Sequence, residues 1–355
     1  MTDRYTVTLD AESHATPCRL GSKFASLLAL ARVGAPVQPG FVVTVDAFEA
    51  LLADSRLRES IDAILHDLDL GDLAKMAAGS AEIRRLVHEH PIPPEVVEAV
   101  TDAYGSLCES PRLEVPVAVR SSAAAEDLPD ASFAGQYDTC LWIRGPEAVL
   151  RAVRHCWSSL WTVRALAYRA ANALGEERLA MAVGVQQMVD ARAAGVAMTV
   201  NPSNGDCSKI VIEAVGGLGE PVTSGEVIPD HWVVDKVLLI PVRATVAPMP
   251  RELGVSQAAD GRGWLRQAVD GARRQVPCLG ADEVIEVARL AKEAERYRGQ
   301  PQEIEWAIAR DLPTAVGLRL LQSRAETVWS RKPRRPSGCN GDSGAAGIAS
   351  TLLGR

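Results

Sequence analysis

Four polar residues near the carboxy terminus occur at alternate positions in the runs QEIEWAIA and VGLRLLQSRA. Glu303 and Glu305 fall on one face of the first run, and Gln322 and Arg324 on one face of the second, because side chains alternate along a strand. Carboxylate and amide oxygens suit Mg²⁺, and a guanidinium adds positive charge where negative charge develops. The runs therefore predict neighbouring strands that hold a metal ion beside a phosphate. An edge sheet with its polar face in water would give the same pattern.

An arginine and a lysine in the amino-terminal half are further candidates for binding phosphate. Arg120 comes at the end of the buried run VPVAVRSS, where its planar guanidinium could hold a polyphosphate. Pairing with Glu126 or Asp127 in its own loop is the alternative. Lys23 follows Gly21 at a helix start, where backbone N–H groups attract anions, although a solvated first-turn lysine would give the same pattern.

Two other segments give weaker indications. Gln187, Met188 and Val189 end the run VGVQQMV and offer backbone amides, while the GGLGE turn ends at Glu220. Glycines after a strand are by themselves a weak indication of phosphate binding, and a tight β-turn is the simpler interpretation.

The elements around these residues follow an α+β or α/β pattern. Helical periodicity interrupted by Gly and Pro covers most of the first half, including a helix after Gly21 and one long helix over 146–173. Period-two runs, which predict strands, begin near residue 180. A weak, polar insertion at about 244–280 precedes an amphipathic helix over 281–298 and the last two strands.

These patterns divide the chain into three parts. We predict an amino-terminal lobe over 1–187 and a second, sheet-based lobe over 188–330. Residues 331–355 are basic and then rich in Gly, Ser and Ala, which is typical of a flexible linker or tail.

Length and composition limit the class of protein. The chain has 355 residues and a formal charge of −7, which argues against a general nucleic-acid surface, and no apolar run reaches the length of a membrane span. Seven cysteines without a CxxC pair favour reduced thiols, and the pair His88-x-His90 alone does not predict zinc. A cytoplasmic protein without a transition metal is the expectation.

Five groups of sequence segments occur along the chain in a fixed order, and their joint order and spacing are more specific than any single segment. The groups are GSKFASL with GAPVQPGFVVT, VPVAVRSSAAAEDLPDASFAGQYDT, VGVQQMV with AGVAMTVNP, IEAVGGLGE, and QEIEWA with LQSRAETVW. Together they resemble the nucleotide-binding domain of phosphoenolpyruvate synthase, pyruvate phosphate dikinase and rifampicin phosphotransferase. The resemblance covers about residues 18–330. It implies an ATP-grasp fold, in which two lobes close on Mg-ATP.

The resemblance also implies roles for the candidate residues. Lys23, Arg120 and Arg324 would be catalytic, the first two holding phosphates and the third contacting the transferred region. Glu305 and Gln322 would ligate Mg²⁺. The other implied nucleotide contacts are Ser132, Gly135 and Gln136 in a loop over the phosphates, Gln187, Met188 and Val189 at the adenine, and Glu213 and Glu220 near the ribose.

The chain departs from the family pattern at several positions. Ser22 replaces a Gly before the lysine, Phe24 stands where an Asn or Gly is usual, Ala124 replaces a Thr, and Glu303 replaces an Asp. None of these changes removes a side chain that is expected to bind phosphate or metal.

The family chemistry splits ATP into AMP and phosphate and passes the β-phosphoryl group to a histidine in a glycine-rich T-S-H motif. This sequence contains no such motif, since Ser13-His14-Ala15 lacks the glycines. We therefore expect a separate partner subunit that carries the phosphohistidine and the acceptor site. A resemblance to the ATP-binding subunit of phenylphosphate synthase implies a phenol or aromatic alcohol as acceptor.

Three alternatives remain at this stage. The chain could be the isolated nucleotide-binding domain of a phosphoenolpyruvate synthase or of an antibiotic phosphotransferase of the rifampicin type. It could be an ATP-grasp ligase that makes acyl phosphates, or a non-catalytic ATP-sensing subunit.

Overall fold

The computed structural model describes residues 4–69, 71–108, 113–123, 127–128, 131–132, 137–171, 180–248, 251–255, 264–268 and 275–329. Within these ranges helices and antiparallel sheets alternate along the chain, which is the α+β pattern predicted from the sequence. No helix among the described residues is both long enough and apolar enough to cross a bilayer.

The first sheet contains five strands from the amino-terminal half. Their bounds are β1 Thr6–Thr8, β2 Gly40–Val43, β3 Val117–Ala123, β6 Thr139–Ile143 and β7 Met181–Gln187. All pairs are antiparallel, and the order across the sheet is β1-β2-β7-β3-β6. A separate short hairpin pairs β4, Asp127–Leu128, with β5, Ala131–Ser132.

The second sheet contains six strands from the carboxy-terminal half. Their bounds are β8 Ala191–Met198, β9 Lys209–Gly216, β10 Asp230–Asp235, β11 Pro241–Thr245, β14 Gln302–Ala309 and β15 Leu318–Ala325. The order is β11-β10-β9-β8-β14-β15, again antiparallel. The polar insertion forms a hairpin of β12, Arg251–Val255, and β13, Trp264–Ala268.

Ten α-helices lie within the described ranges: α1 Pro17–Ala31, α2 Val45–Leu52, α3 Ser55–His66, α4 Leu73–Glu89, α5 Pro94–Leu107, α6 Pro146–Ser158, α7 Val163–Ala171, α8 Glu220–Thr223, α9 Ala281–Arg298 and α10 Thr314–Gly317. Local chemistry fixes several of their ends. The side chains of Asp54 and Asp72 accept first-turn backbone N–H groups of α3 and α4. The α9 helix has the predicted bounds and ends at Gly299 in the left-handed conformation.

The prediction of a single helix over 146–173 is wrong, because the structure has two helices, α6 and α7, in this range. After α6 comes a 3₁₀ turn over Ser159–Trp161, and Thr162 then adopts an extended conformation. The Thr162 hydroxyl accepts the backbone N–H of Ala165, which starts α7 as a new helix. Apolar periodicity continues across such a break, so the pattern alone did not reveal it.

The α1 helix connects the two sheets. Leu20, Phe24 and Leu27 are buried in the same apolar cluster as Ile212 and Ile304 of the second sheet. The other helices of the amino-terminal half, α2 to α7, pack in a separate cluster against β2, β3 and β7. One helix therefore packs against the inner strands β3 and β7 of the first sheet and the edge strand β15 of the second, and a cleft opens between the sheets.

Candidate active site

Arg120 lies in the middle of β3, whereas the sequence placed it at the end of a strand. The strand continues to Ala123, and Arg120 is paired with Gly184 of β7 and Thr139 of β6. Its guanidinium crosses to the second sheet. There Nη2 donates to Glu305 Oε2 at 2.5 Å and to Gln322 Oε1 at 2.8 Å, and Nη1 donates to the Leu321 carbonyl at 3.0 Å.

The predicted pairing of β14 with β15 is confirmed, and it explains why both oxygens reach one guanidinium. Glu305 lies directly opposite Gln322, and Glu303 lies opposite Arg324. The Arg324 Nη2 donates to Glu303 Oε1 at 2.8 Å, within the same sheet. The structure therefore brings together Arg120, Glu305 and Gln322, and it places Arg324 one step further along the same face.

Lys23 follows a sharp bend of the chain and lies beside β3, outside the lining of the cleft. Gly21 has a φ of 69°, and the regular part of α1 begins after it. A side chain at Gly21 could not fit, since its Cβ would lie 2.1 Å from the carbonyl oxygen of Ser122. Lys23 Nζ donates to the carbonyl of Ser121 at 3.2 Å, so the ammonium group lies beside the residue that follows Arg120.

Phe24 is accommodated by a glycine on the facing strand. The ring is buried, and a Cβ at Gly184 would lie 1.7 Å from its Cζ atom. The aromatic ring thus occupies the space over the residue paired with Arg120. This packing explains how the chain tolerates Phe24 where an Asn or Gly was expected.

An apolar cleft of about 910 Å³, counting the part open to solvent, lies between the sheets with Arg120 and Glu305 at its polar end. Its apolar lining is Ala118, Leu141, Met188, Val189, Leu218, Ala307 and Leu321. A slot of this kind suits a flat, apolar group with a charged substituent at one end.

The segment Gln187 to Val189 lines this cleft, but two of its backbone amides are not available. The Gln187 N–H donates to the Pro39 carbonyl at 2.9 Å, and the Met188 N–H donates to the Pro116 carbonyl at 2.8 Å. The expectation that these amides could face a ligand is therefore wrong for both residues. Their carbonyls and side chains are what they offer.

Sequence reasoning missed three polar side chains of the cleft, those of Gln186, Thr139 and Thr223. Gln186 is 3% exposed and lines the cleft, and its Nε2 has no hydrogen-bond partner among the described residues. A buried amide without a partner is costly, so an incoming acceptor would be favoured there. Thr139 is exposed on the strand next to Arg120. The signal for Gln186 was a polar residue within an otherwise apolar strand.

The two glutamates expected near a ribose occupy different places. Glu220 begins α8 and lines the cleft. Glu213 shares a row of the second sheet with Val196 and Glu305, but it lies two strands away from Glu305 and outside the cleft lining. Its Oε1 atom lies 3.5 Å from Nδ1 of His231.

The loop expected over the phosphates is only partly described. Ser132 belongs to β5, but nothing is known of its side chain, and Gly135 and Gln136 lie outside the described residues. The alternative partner Glu126 lies outside them as well.

The residues present fit a magnesium ion that shares its ligands with phosphate. Glu305 Oε2 and Gln322 Oε1 both lie within 2.8 Å of one nitrogen, so the two oxygens converge on a single point. Among the described residues no group of three or more His, Cys, Asp or Glu side chains is placed to hold a metal. That agrees with Mg²⁺, which is usually held by one or two protein oxygens together with phosphates and water.

Comparison with known proteins identifies relatives among phosphotransferases. The chain is 37% identical over 347 residues to a probable phosphoenolpyruvate synthase from Staphylothermus marinus, covering 92% of this chain and 42% of that protein. It is 41% identical over 288 residues to one from Methanocaldococcus jannaschii, covering 81% and 24%. It is 37% identical over 332 residues to a rifampicin phosphotransferase from Streptomyces sviceus, covering 92% and 36%. The chain thus spans less than half the length of each.

A family model described as the pyruvate phosphate dikinase AMP/ATP-binding domain matches residues 18–338. The match includes every strand of the two sheets except β1, the cleft between the sheets and every described residue around Arg120. With its mixed helices and antiparallel sheets, the chain belongs to this family and is an α+β, ATP-grasp-like nucleotide-binding domain.

Proposed function

We propose that this chain is the phosphoryl-donating ATP domain of a dikinase of the phosphoenolpyruvate synthase type. It would bind Mg-ATP between its two lobes, release AMP and phosphate, and pass the β-phosphoryl group to a histidine on another domain or subunit. The observation that carries the proposal is the convergence of Arg120, Glu305 and Gln322 at the end of an apolar slot between two sheets.

The apolar part of the slot is where the adenine would bind. Met188, Val189 and Leu218 form its walls, and the unpartnered amide of Gln186 offers a donor to the base. The phosphates would then extend toward Arg120. This orientation places the most negatively charged part of ATP at the cationic end of the cleft.

The charges of the side chains at the Arg120 end of the cleft suggest a role for each of them. Arg120 and Lys23 would hold phosphate oxygens, since both are cations of the first lobe that lie on or beside β3. Glu305 and Gln322 would hold Mg²⁺, which when bound neutralises charge on the phosphates. Arg324 would contact the transferred group, where a fixed cation favours the transition state. Arg120 must leave Glu305 for these contacts to form.

The final acceptor is a separate question. The phenol acceptor expected from the sequence gains no support from the relatives, whose names give phosphoenolpyruvate synthesis and rifampicin phosphotransfer. We therefore favour the alternative, a nucleotide-binding domain of the phosphoenolpyruvate synthase kind, with the acceptor bound elsewhere than in this cleft.

The test measures which nucleotide is produced from ATP and which residue receives the labelled phosphoryl group. The chain is mixed with the histidine-bearing domain of a phosphoenolpyruvate synthase and ATP labelled in the β-phosphate. We expect AMP as product and label on a histidine of the added domain. ADP as product would indicate an ordinary kinase or an acyl-phosphate ligase, and ATP binding without turnover would indicate a sensor.

Metal dependence is tested by calorimetry with the chain alone. ATP should bind in the presence of Mg²⁺ and lose affinity with excess chelator, and Glu305→Ala should remove this dependence. Glu303→Ala is the matched control, because it removes a carboxylate from the same strand face and should leave the dependence intact. Equal affinity with and without chelator in the unmodified chain contradicts the metal assignment.

A further inference from the structure

Two cysteines lie together on the side of β6 away from the nucleotide cleft. Thr139 and Leu141 line the cleft, and Cys140 between them points to the opposite face, as alternation along a strand requires. Cys156 of α6 is fully buried there. Its Sγ lies 3.5 Å from the Asp138 carbonyl and 3.8 Å from the carbonyl of Val119, the residue paired with Cys140.

A histidine and an aspartate complete the cluster. His155 Nε2 lies 3.1 Å from Asp138 Oδ2, and the two side chains are 38% and 29% exposed. This hydrogen bond raises the pKa of His155 and lowers the pKa of Asp138, so the imidazolium form is favoured. Arg84 adds a second positive charge 3.8 Å from Asp138.

The Cys140 thiol faces a cavity of about 860 Å³, counting its open part. The cavity is open to solvent and is lined by His88, Arg151, Arg154 and His155 together with the apolar Ile143, Ala148 and Ala152. A small polar molecule can therefore reach Cys140. Cys156 lies behind it, fully buried.

The two thiols differ in acidity. A hydrogen bond from Cys156 lowers the pKa of Cys140 to about 7, with a smaller contribution from the charge on His155. The same hydrogen bond and burial raise the pKa of Cys156. Cys140 is therefore the more readily ionised thiol of the two.

We propose that Cys140 is a site of reaction with small hydroperoxides and that Cys156 resolves the product to an internal disulfide. In the first step the Cys140 thiolate attacks a peroxide oxygen. The S–O bond forms, the O–O bond breaks, and the leaving hydroxide or alkoxide takes a proton from the His155 imidazolium to give water or an alcohol.

In the second step the Cys156 sulfur attacks the sulfenic acid on Cys140. The S–S bond forms, the S–O bond breaks, and the departing hydroxide takes the Cys156 proton as water. The peroxide is reduced by two electrons, and the two thiols are oxidised to one disulfide. A reductant thiol restores the starting state.

The experiment treats the full chain with hydrogen peroxide at pH 7 and maps cysteine peptides without reduction. We expect a peptide linking Cys140 to Cys156, and reaction at Cys140 about tenfold faster than at an ordinary protein thiol because of its larger thiolate fraction. The exposed Cys18 and Cys207 serve as internal references. Oxidation of these two before Cys140 would overturn the proposal.

Two variants separate the steps. Cys156→Ser should allow dimedone to trap a sulfenic acid on Cys140, and Cys140→Ser should leave Cys156 unmodified by peroxide. Retained ATP binding checks that each variant is folded. Should Cys156→Ser fail to fold, Cys156→Ala replaces it. Absence of both the linked peptide in the unmodified chain and the dimedone adduct in the variant refutes the site.

Discussion

The contact between Arg120 and Glu305 should hold the two lobes together before any nucleotide binds. The side chains are 15% and 22% exposed, and Nη2 lies 2.5 Å from Oε2. Two unit charges ~4 Å apart attract by about 4 kcal/mol at an effective dielectric constant of about 20. Desolvation offsets part of this, which leaves a coupling free energy of roughly 1 to 3 kcal/mol.

A double-mutant cycle measures this coupling. Arg120→Ala, Glu305→Ala and the double variant are unfolded in urea without nucleotide, and the free energies of unfolding are compared. Arg120→Ala should be the more damaging single change, because Arg120 also donates to Gln322 and Leu321. The double variant should lose less than the sum of the single variants.

A neighbouring pair provides the matched control. Arg324 and Glu303 are the same residue types and lie on the same two strands as Gln322 and Glu305, but both belong to one lobe and are 32% and 27% exposed. Their coupling should be about 0.5 kcal/mol, typical of a solvent-screened pair. A coupling for Arg120 and Glu305 no larger than this control would refute a closed cleft in the unliganded protein.

The same cycle repeated with Mg-ATP links stability to function. At about 100 times its dissociation constant, a ligand that binds only the folded state adds about 2.7 kcal/mol to the free energy of unfolding. We expect this gain in the unmodified chain and its loss in both single variants. An undiminished gain in Glu305→Ala would remove that residue from the site.

Three further predictions concern single residues. Gln186→Leu should preserve stability, because the buried amide has no described partner, yet weaken ATP binding by about tenfold or more in calorimetry; unchanged affinity would exclude a nucleotide contact. Gly184→Ala should lower the free energy of unfolding by roughly 1 to 3 kcal/mol, because the new methyl group collides with Phe24. Adding Phe24→Leu to the same chain should restore part of the loss. If the losses of the two single variants simply add in the double variant, this packing is contradicted. Arg324→Ala should retain ATP binding but slow phosphoryl transfer to the histidine domain by ~10²-fold, and near-normal transfer would make Arg324 structural.

Local periodicity in the sequence was sufficient to predict the two strands that carry the candidate metal ligands. Alternation in QEIEWAIA and LRLLQSRA predicted β14, β15 and the common face of Glu305 and Gln322, because the polar and apolar positions of a half-buried strand are separated in the sequence itself. The α9 helix was predictable for the same reason. Its acidic first turn and basic last turn mark both ends.

Contacts between distant segments were not predictable in this way. Arg120 and Glu305 are 185 positions apart, and only the packing of the two sheets brings them together. The Gln187 and Met188 amides looked available because nothing local revealed that Pro39 and Pro116 would accept them. Cys140 and Cys156 were not predicted to lie together, since a contact between a strand and a helix leaves no spacing motif in the sequence.

The sequence left two interpretations of Arg120 open, an arginine held in an ion pair and an arginine that binds phosphate. The two roles are compatible. The guanidinium keeps Glu305 and Gln322 converged and largely shielded from water. A carboxylate and an amide held in this way need little rearrangement to accept a different cation, so part of the ordering cost of binding is already met. In the proposed function, Glu305 and Gln322 would hold Mg²⁺ and the Arg120 guanidinium would move to the phosphates. No charge would then be left buried without a partner.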